Sequence, residues 1–316
     1  MKLSVALCSY NGAKYIKEQI DSILNQTMPV HEIVVCDDGS TDETLQIVEK
    51  IHGDAPTDIR VYKNEKKLGV CANFQKAINF CKGDVVFLSD QDDIWMQEKV
   101  ESVVDYLENH PQIDVVFTDA ALIDADGNSS ALVPANLWGY HFTEIDRRVF
   151  DSGMQLESFV NGRVHATGAT MAVRRLFIVE HPFLPLWNRG EVMHDYAITL
   201  LAAEGNRLGY IDQTLIKYRL HQNQTCSVFV EPFDIDYQIY VINNSILPFL
   251  HNEKAVDRIN FAKYRLRQTR RLIGGLTLLF KTSKYRLLYG KNGGVLLKTD
   301  LVSWRKMLNN RFLDHK

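Results

Sequence analysis

Short apolar runs alternate with amphipathic stretches along the first third of the chain. Residues 3–8 form a continuous apolar run of strand length, and 32–36, 59–62, 85–89 and 115–118 repeat it. Between them lie segments with a helical period. Residues 13–25 put Ile16, Ile20, Ile23 and Leu24 on one face. A second helix is predicted from a cap at Ser40 or Thr41 to about Ile51, with acidic residues in its first turn. A third opens at Gly69 and runs to about Cys81, and a fourth spans 96–109. Apolar strands separated by helices and short connections predict a mostly parallel, Rossmann-like sheet with helices on both faces. Ligands of such sheets bind beyond the carboxyl ends of the strands. The polar loops 9–12, 37–40 and 89–93 are therefore expected along one edge.

The pattern is less regular further on. Residues 124–128 (Asp-Ala-Asp-Gly-Asn) read as a turn between two edge strands. Residues 167–173 and 215–220 read as strands, and 175–180 and 195–204 as helices. After Glu231 the spacing is helical, over 235–250, 256–280 and 296–309. The expected organisation is an α/β domain over 1–226 and a helical extension over 227–316. The longest apolar stretch, 272–280, is far below the ~20 residues that span a bilayer, and the N-terminus lacks the pattern of a signal peptide.

Charge divides the chain in the same place. The formal net charge is −3, but from Lys254 onward 16 Lys and Arg face only Asp257, Asp300 and Asp314, a net of +13 against −16 for the residues before. Such a tail either meets an anionic partner, such as a membrane surface, or docks on the acidic body. Lys263, Arg265, Arg267, Arg270 and Arg271 precede the apolar 272–280 stretch, the order expected of a helix lying on an anionic membrane. No nucleic-acid motif accompanies the charge. The five cysteines, Cys8, Cys36, Cys71, Cys81 and Cys226, form no ligand-type cluster, and their odd number points to reduced thiols and a cytoplasmic setting.

Three loops carry candidate chemistry. Asp90-Gln91-Asp92-Asp93 directly follows an apolar strand. Three carboxylates so close repel one another, and they are relieved by protonation or by a cation. Mg²⁺ and Mn²⁺ favour oxygen ligands and bind through one or two carboxylates plus phosphates, so the loop is read as a metal–diphosphate site with Asp92 as the main ligand. As an ordinary structural feature it would be a solvated turn capping the next helix. Asp37-Asp38-Gly39-Ser40-Thr41-Asp42 ends the second strand, and a carboxylate there can accept from a base edge or ribose. Ser9-Tyr10-Asn11-Gly12 ends the first, with a ring for stacking and an amide for hydrogen bonding. Both are also common connector sequences.

A first strand ending in Ser-Tyr-Asn, a second ending in Asp-Asp-Gly-Ser-Thr-Asp and a later Asp-x-Asp-Asp, about 27 and about 52 residues apart, resemble family 2 glycosyltransferases of the GT-A fold over residues 3–221. The string 89–95 (Ser-Asp-Gln-Asp-Asp-Ile-Trp) is similar to the branch containing bacterial rhamnosyltransferases of surface polysaccharide synthesis. The resemblance implies an inverting transfer from a nucleoside-diphosphate sugar (dTDP-rhamnose or a UDP-hexose) to a glycan or lipid-linked acceptor, with Mg²⁺ or Mn²⁺. It implies that Tyr10 and Asp38 contact the base, with Ser9, Asn11 and Asn73 nearby, and that Asp90 meets ribose or metal. Asp195 would be the general base; the preceding residue is His194 where relatives carry Glu. Gly168 would admit the acceptor, with His194 beside it. Arg219 would neutralise the leaving group, and His221 would do so or add a metal bond. A nucleotidyltransferase would need a Gly-rich loop and a basic residue after the first strand, which 9–12 does not supply. The other alternative is a non-catalytic glycan- or nucleotide-sugar-binding protein on the same fold.

Overall fold

In the computed structural model, β1 (Leu3–Ser9), β2 (Glu32–Asp37) and β4 (Val85–Ser89) are buried at every position. Side chains alternate across a strand, so both faces of this part of the sheet are covered. The structure describes residues 1–129, 148, 150, 151, 153, 155, 156, 166–180, 193–222 and 224. The expected boundary at 226/227, Cys226, the helical extension and its basic residues lie outside the described residues.

The remaining strands are β3 (Asp58–Lys63), β5 (Ile94–Trp95), β6 (Val115–Ile123), β7 (Met171–Arg174) and β8 (Leu208–Arg219), and the eight-stranded sheet has the order β3-β2-β1-β4-β7-β6-β8-β5. From β1 the chain steps outward through α1 (Ile16–Leu24) and α2 (Thr44–Asp54), then returns past β1 through α3 (Val70–Phe80) to β4. Right-handed crossovers put helices on opposite faces when the direction of travel reverses. Accordingly Leu3, Val5 and Leu7 share a core with Ile16, Ile20 and Ile23 of α1 and Val100, Val103 and Leu107 of α4 (Lys99–Asn109). Helix α3 packs against β1 and β2, and its Phe74, Ala77 and Ile78 are buried outside that core. The reversal opens a crevice between the carboxyl ends of β1 and β4, which pair in parallel with Leu7 opposite Ser89.

The second half departs from the expected pattern. β7 runs antiparallel to both β4 and β6, and β5 antiparallel to β8, so the sheet is mixed beyond β4. The strand expected over 167–173 begins instead with a 3₁₀ turn, Gly168–Thr170. β6 is nine residues long and lies between β7 and β8, so the turn at 124–128 does not join edge strands. It closes back through a bridge between Ile123 and Ser129. β5 pairs over only two residues, too short for a periodic signal. Neither Ser40 nor Thr41 caps α2, which starts at Thr44, while Asp42 accepts from the Thr44 amide at 3.0 Å. Helix α5 (Arg175–Glu180) follows β7, and α6 (His194–Glu204) packs on β6 and β8. Cys8, Cys36 and Cys81 are buried and Cys71 half-buried, all as free thiols. Burial pushes Cys36 up to about 11, so it stays a thiol at neutral pH.

Candidate active site

The β1 loop is bonded to the β2 loop residue by residue. Asp38 N–H donates to Ser9 O at 2.8 Å, Asn11 N–H to Ser40 Oγ at 2.8 Å, Gly12 N–H to Thr44 Oγ1 at 2.8 Å and Ala13 N–H to Asp42 at 3.1 Å. Asn11 has φ +49°, a left-handed conformation that Asn tolerates better than most residues, and its Oδ1 accepts from Thr41 N–H at 2.9 Å. Asp37 is fully buried; it accepts from Ser9 Oγ and from the amides of Gly39 and Ser40, and pairs closely with Ser40 Oγ. Asp38 accepts from Asn64 Nδ2 (2.9 Å), Leu68 N–H (2.7 Å) and Gly69 N–H (2.9 Å), which ties the loop before α3 to the end of β2.

The β1 loop is bonded equally well to the β4 loop. Gln91 reads the Tyr10 backbone twice, accepting from its N–H at 2.9 Å and donating to its carbonyl at 3.0 Å. A methyl group at Gly12 would lie 2.0 Å from Gln91 Oε1, so this clasp requires glycine there. The clasp leaves the Tyr10 ring 41% exposed at the mouth of the crevice, with Lys67 Nζ 3.5 Å above it.

The acids gather below Tyr10. Burial, then repulsion from Asp92 and Asp195, pushes Asp90 up to about 8, which places Asp195 within electrostatic reach of this loop. Burial and the charges of Asp92 and Asp90 also raise Asp93 well above the carboxylate range. Asp92 Oδ2 lies 2.8 Å from His221 Nε2, and the His221 ring packs on Tyr15 at 5.0 Å. That oxygen–nitrogen separation is close to the spacing of neighbouring ligands around an ion with bonds of about 2.1 Å. Asp92 and His221 therefore fit Mg²⁺ or Mn²⁺ in donor type, and a cation beside them would offset the Asp92 charge that adds to burial in raising Asp90. Among the described residues no three His, Cys, Asp or Glu side chains converge on one point. The rest of an ion's shell would come from phosphate oxygens and water, as is usual for Mg²⁺.

Across the crevice, α6 begins at His194 with Asp195 in its first turn, and Asp195 Oδ2 accepts from Gly168 N–H at 3.1 Å. His194 is buried and stacks on Phe74 at 4.2 Å; burial lowers its pKa against the pull of Asp195, so it is neutral at pH 7. A methyl at Gly168 would lie 2.7 Å from His194 Nε2.

The pattern of glycosyl transferase family 2 matches residues 4–165. An uncharacterized glycosyltransferase of Haemophilus influenzae is 30% identical over 234 residues, 72% of this chain and 68% of that protein. The chain belongs to glycosyl transferase family 2. Several other curated relatives are matched over about half of their own length or less. Among solved structures, residues 1–349 of Staphylococcus aureus TarS in complex with UDP-GlcNAc superpose with a TM-score of 0.58 at 20% identity, over 84% of this chain and 71% of that one. A mannosyltransferase of Pyrobaculum calidifontis, in complex with GDP-Man and Mn²⁺, superposes with a TM-score of 0.50 at 16% identity, over 91% of this chain and 82% of that one. The transferase thus has the GT-A fold, and it is an enzyme rather than a binding protein on that scaffold.

The fold of the transferase sorts the residues singled out from sequence. Tyr10, Asn11, Asp90, Asp92 and His221 belong to the loops around the crevice, and Asp195 to the first turn of α6. Ser9 and Asn73 do not offer their side chains there. Ser9 Oγ points into Asp37, and Asn73 is buried, donating to Cys36 O and accepting from Asn64. Asp38 is also buried, with three acceptor positions filled and about one left of the four a carboxylate has. Arg219 is 3% exposed; it donates to Asp92 O (2.7 Å) and Glu18 (2.6 Å) and lies over Tyr15 at 4.7 Å, so it braces the acidic loop instead of facing the crevice. Gly168 lies against both His194 and Asp195. Sequence reasoning missed Gln91, although its place between two Asp of the motif marked it, and missed Lys99 and Glu18, which no motif marks.

Proposed function

We propose that this glycosyltransferase moves a sugar, with inversion, from a nucleoside-diphosphate sugar to a glycan or lipid-linked acceptor in bacterial cell-surface polysaccharide synthesis. The observation that carries this reading is the position of Asp90. Besides burial, both Asp92 and Asp195 oppose its charge, so a candidate diphosphate site and a candidate base share one region of negative potential. The base of the nucleotide stacks on Tyr10, the amide of Asn11 and the remaining acceptor position of Asp38 are within the same loops, and dTDP or UDP is the nucleotide. Asp92 and His221 would hold Mg²⁺ or Mn²⁺, with phosphate oxygens and water completing the shell. When bound, that ion neutralises charge developing on the diphosphate leaving group. Asp195 Oδ2, oriented by the Gly168 amide, takes the proton from the acceptor hydroxyl as its oxygen attacks the anomeric carbon from the face opposite the diphosphate. The buried, neutral His194 fixes where Asp195 leaves the helix. The structures of TarS with UDP-GlcNAc and of the mannosyltransferase with GDP-Man and Mn²⁺ support the donor class and the metal by analogy.

Calorimetric titration of UDP and dTDP, each with and without Mn²⁺, into the wild type and Asp92→Ala tests this reading. Metal-dependent binding of one nucleotide, weakened at least about tenfold by Asp92→Ala, is expected. Absence of binding under every condition would remove the site assignment.

A further inference from the structure

Among the buried charged side chains that lie outside the loops discussed, Lys99, the first residue of α4, is a lysine with no exposure at all. Fully buried lysines are rare because desolvating an ammonium is costly, and a methionine would fill a similar volume without that cost. The polar end of Lys99 is directed at one place. Nζ donates to the carbonyl of Ala169 at 3.0 Å, above the Trp95 ring at 4.8 Å. Trp95 is two residues beyond Asp93, the last residue of the acidic loop. Ala169 is the middle residue of the 3₁₀ turn Gly168–Thr170, which is closed by Thr170 N–H and Oγ1 on Thr167 O. The amide of Gly168, one residue before, is the donor that orients Asp195.

We propose that Lys99 is a positioning residue for the transfer step: it links the Trp95 strand, which directly follows the Asp90–Asp93 loop, to the Gly168–Thr170 turn and, through the Gly168 amide, sets the place of the Asp195 carboxylate. The linkage rests on the reading of Asp195 as the base. It explains why a polar tether crosses a site that an apolar side chain could fill. The two halves of the reaction sit on segments 70 residues apart in sequence, and a displacement of about 1 Å between them costs on the order of 100-fold in rate. Burial lowers Lys99 to about 7, but an amine and an ammonium can both donate to the carbonyl, so the tether holds in either state.

Two readouts test this on the full chain with Lys99→Met. Hydrogen exchange is expected to speed up at the Gly168–Thr170 turn and the start of α6, with peptides of β1, β2 and β4 unchanged; unaltered protection at the turn overturns the proposal. Turnover is read as nucleoside-diphosphate release from UDP-N-acetylglucosamine or dTDP-rhamnose, with water as acceptor. The rate is expected to fall at least about tenfold while UDP or dTDP affinity stays within about threefold, and the same change should cost less than about twofold in an Asp195→Asn background. Equal losses in both backgrounds, or a parallel loss of nucleotide affinity, overturn the proposal. Wild-type turnover by Asp195→Asn removes the base reading itself, whereas an inactive Asp195→Asn beside a fully active Lys99→Met removes only the role of Lys99. If Lys99→Met does not fold, Lys99→Gln, which keeps a shorter donor, is measured in the same way.

Discussion

Gly12 and Gln91 are 79 positions apart in the chain, and their contact is closer than any side chain at Gly12 would permit. Gly12→Ala is expected to push the Gln91 amide off the Tyr10 backbone and weaken nucleotide binding about tenfold, or ~1.4 kcal/mol. Calorimetry would check this, and Gln91→Ala should have the same effect, with the double variant no worse than either. Asp90 carries a second residue-scale expectation. Its folded pKa of about 8 lies above the ordinary 3.8, so the native state holds a proton that the unfolded chain releases. The associated stability is complete below about pH 4 and is lost as pH rises through 8. In metal-free protein, Asp90→Asn should therefore melt higher than the wild type at pH 8 and at nearly the same temperature at pH 4. Thermal unfolding in the presence of a chelator measures the difference.

Elements act here mainly through their ends. β8 runs twelve residues and delivers Arg219 and His221 to opposite sides of Asp92, one to its carbonyl and one to its carboxylate. Arg219 also reaches Glu18 on α1, so a single guanidinium ties α1, the acidic loop and β8 together. Arg219→Met is expected to lower unfolding free energy by about 1–2 kcal/mol, the scale for losing hydrogen bonds from a buried charged donor when the partner Glu18 is itself half exposed. Urea denaturation would measure that loss, and metal-dependent nucleotide binding should weaken with it because the Asp92 loop loses its brace.

At the scale of the whole molecule, the charge asymmetry is the dominant feature. The residues from Lys254 onward carry +13, the sign that an anionic membrane attracts. Among the described residues no helix is long and apolar enough to cross a membrane. If the tail meets lipid, vesicles containing anionic phospholipid should bind the full chain at low salt and release it as ionic strength rises past about 0.15 M, where the Debye length falls to about 8 Å. Replacing Arg265, Arg267, Arg270 and Arg271 together by Glu should abolish co-sedimentation with such vesicles and leave nucleotide binding unchanged.

The parallel half of the sheet was legible in the sequence because its strands are buried on both faces. Unbroken apolar runs such as 3–8 and 85–89 report burial directly, and the polar loops that follow them report the edge where ligands bind. Asp92 could be named because its carboxylate cluster directly follows such a run, whereas Asp195 and His221 were named only through the resemblance to family 2 glycosyltransferases. What the tertiary structure decided is which polar side chains face the crevice and which hold it together. Ser9, Asn73 and Arg219 have the chemistry of ligand contacts, but hydrogen-bond partners from distant segments take up their polar atoms. Gln91, Lys99 and Glu18 gained roles only through contacts 70 to 201 residues away along the chain. In the mixed half β7 was read as a strand over 167–173, but its antiparallel pairing and the two-residue β5 were hidden, because both are defined by the strands they pair with. A local pattern records whether a position is buried, but hydrogen-bond partners are chosen only when distant segments meet.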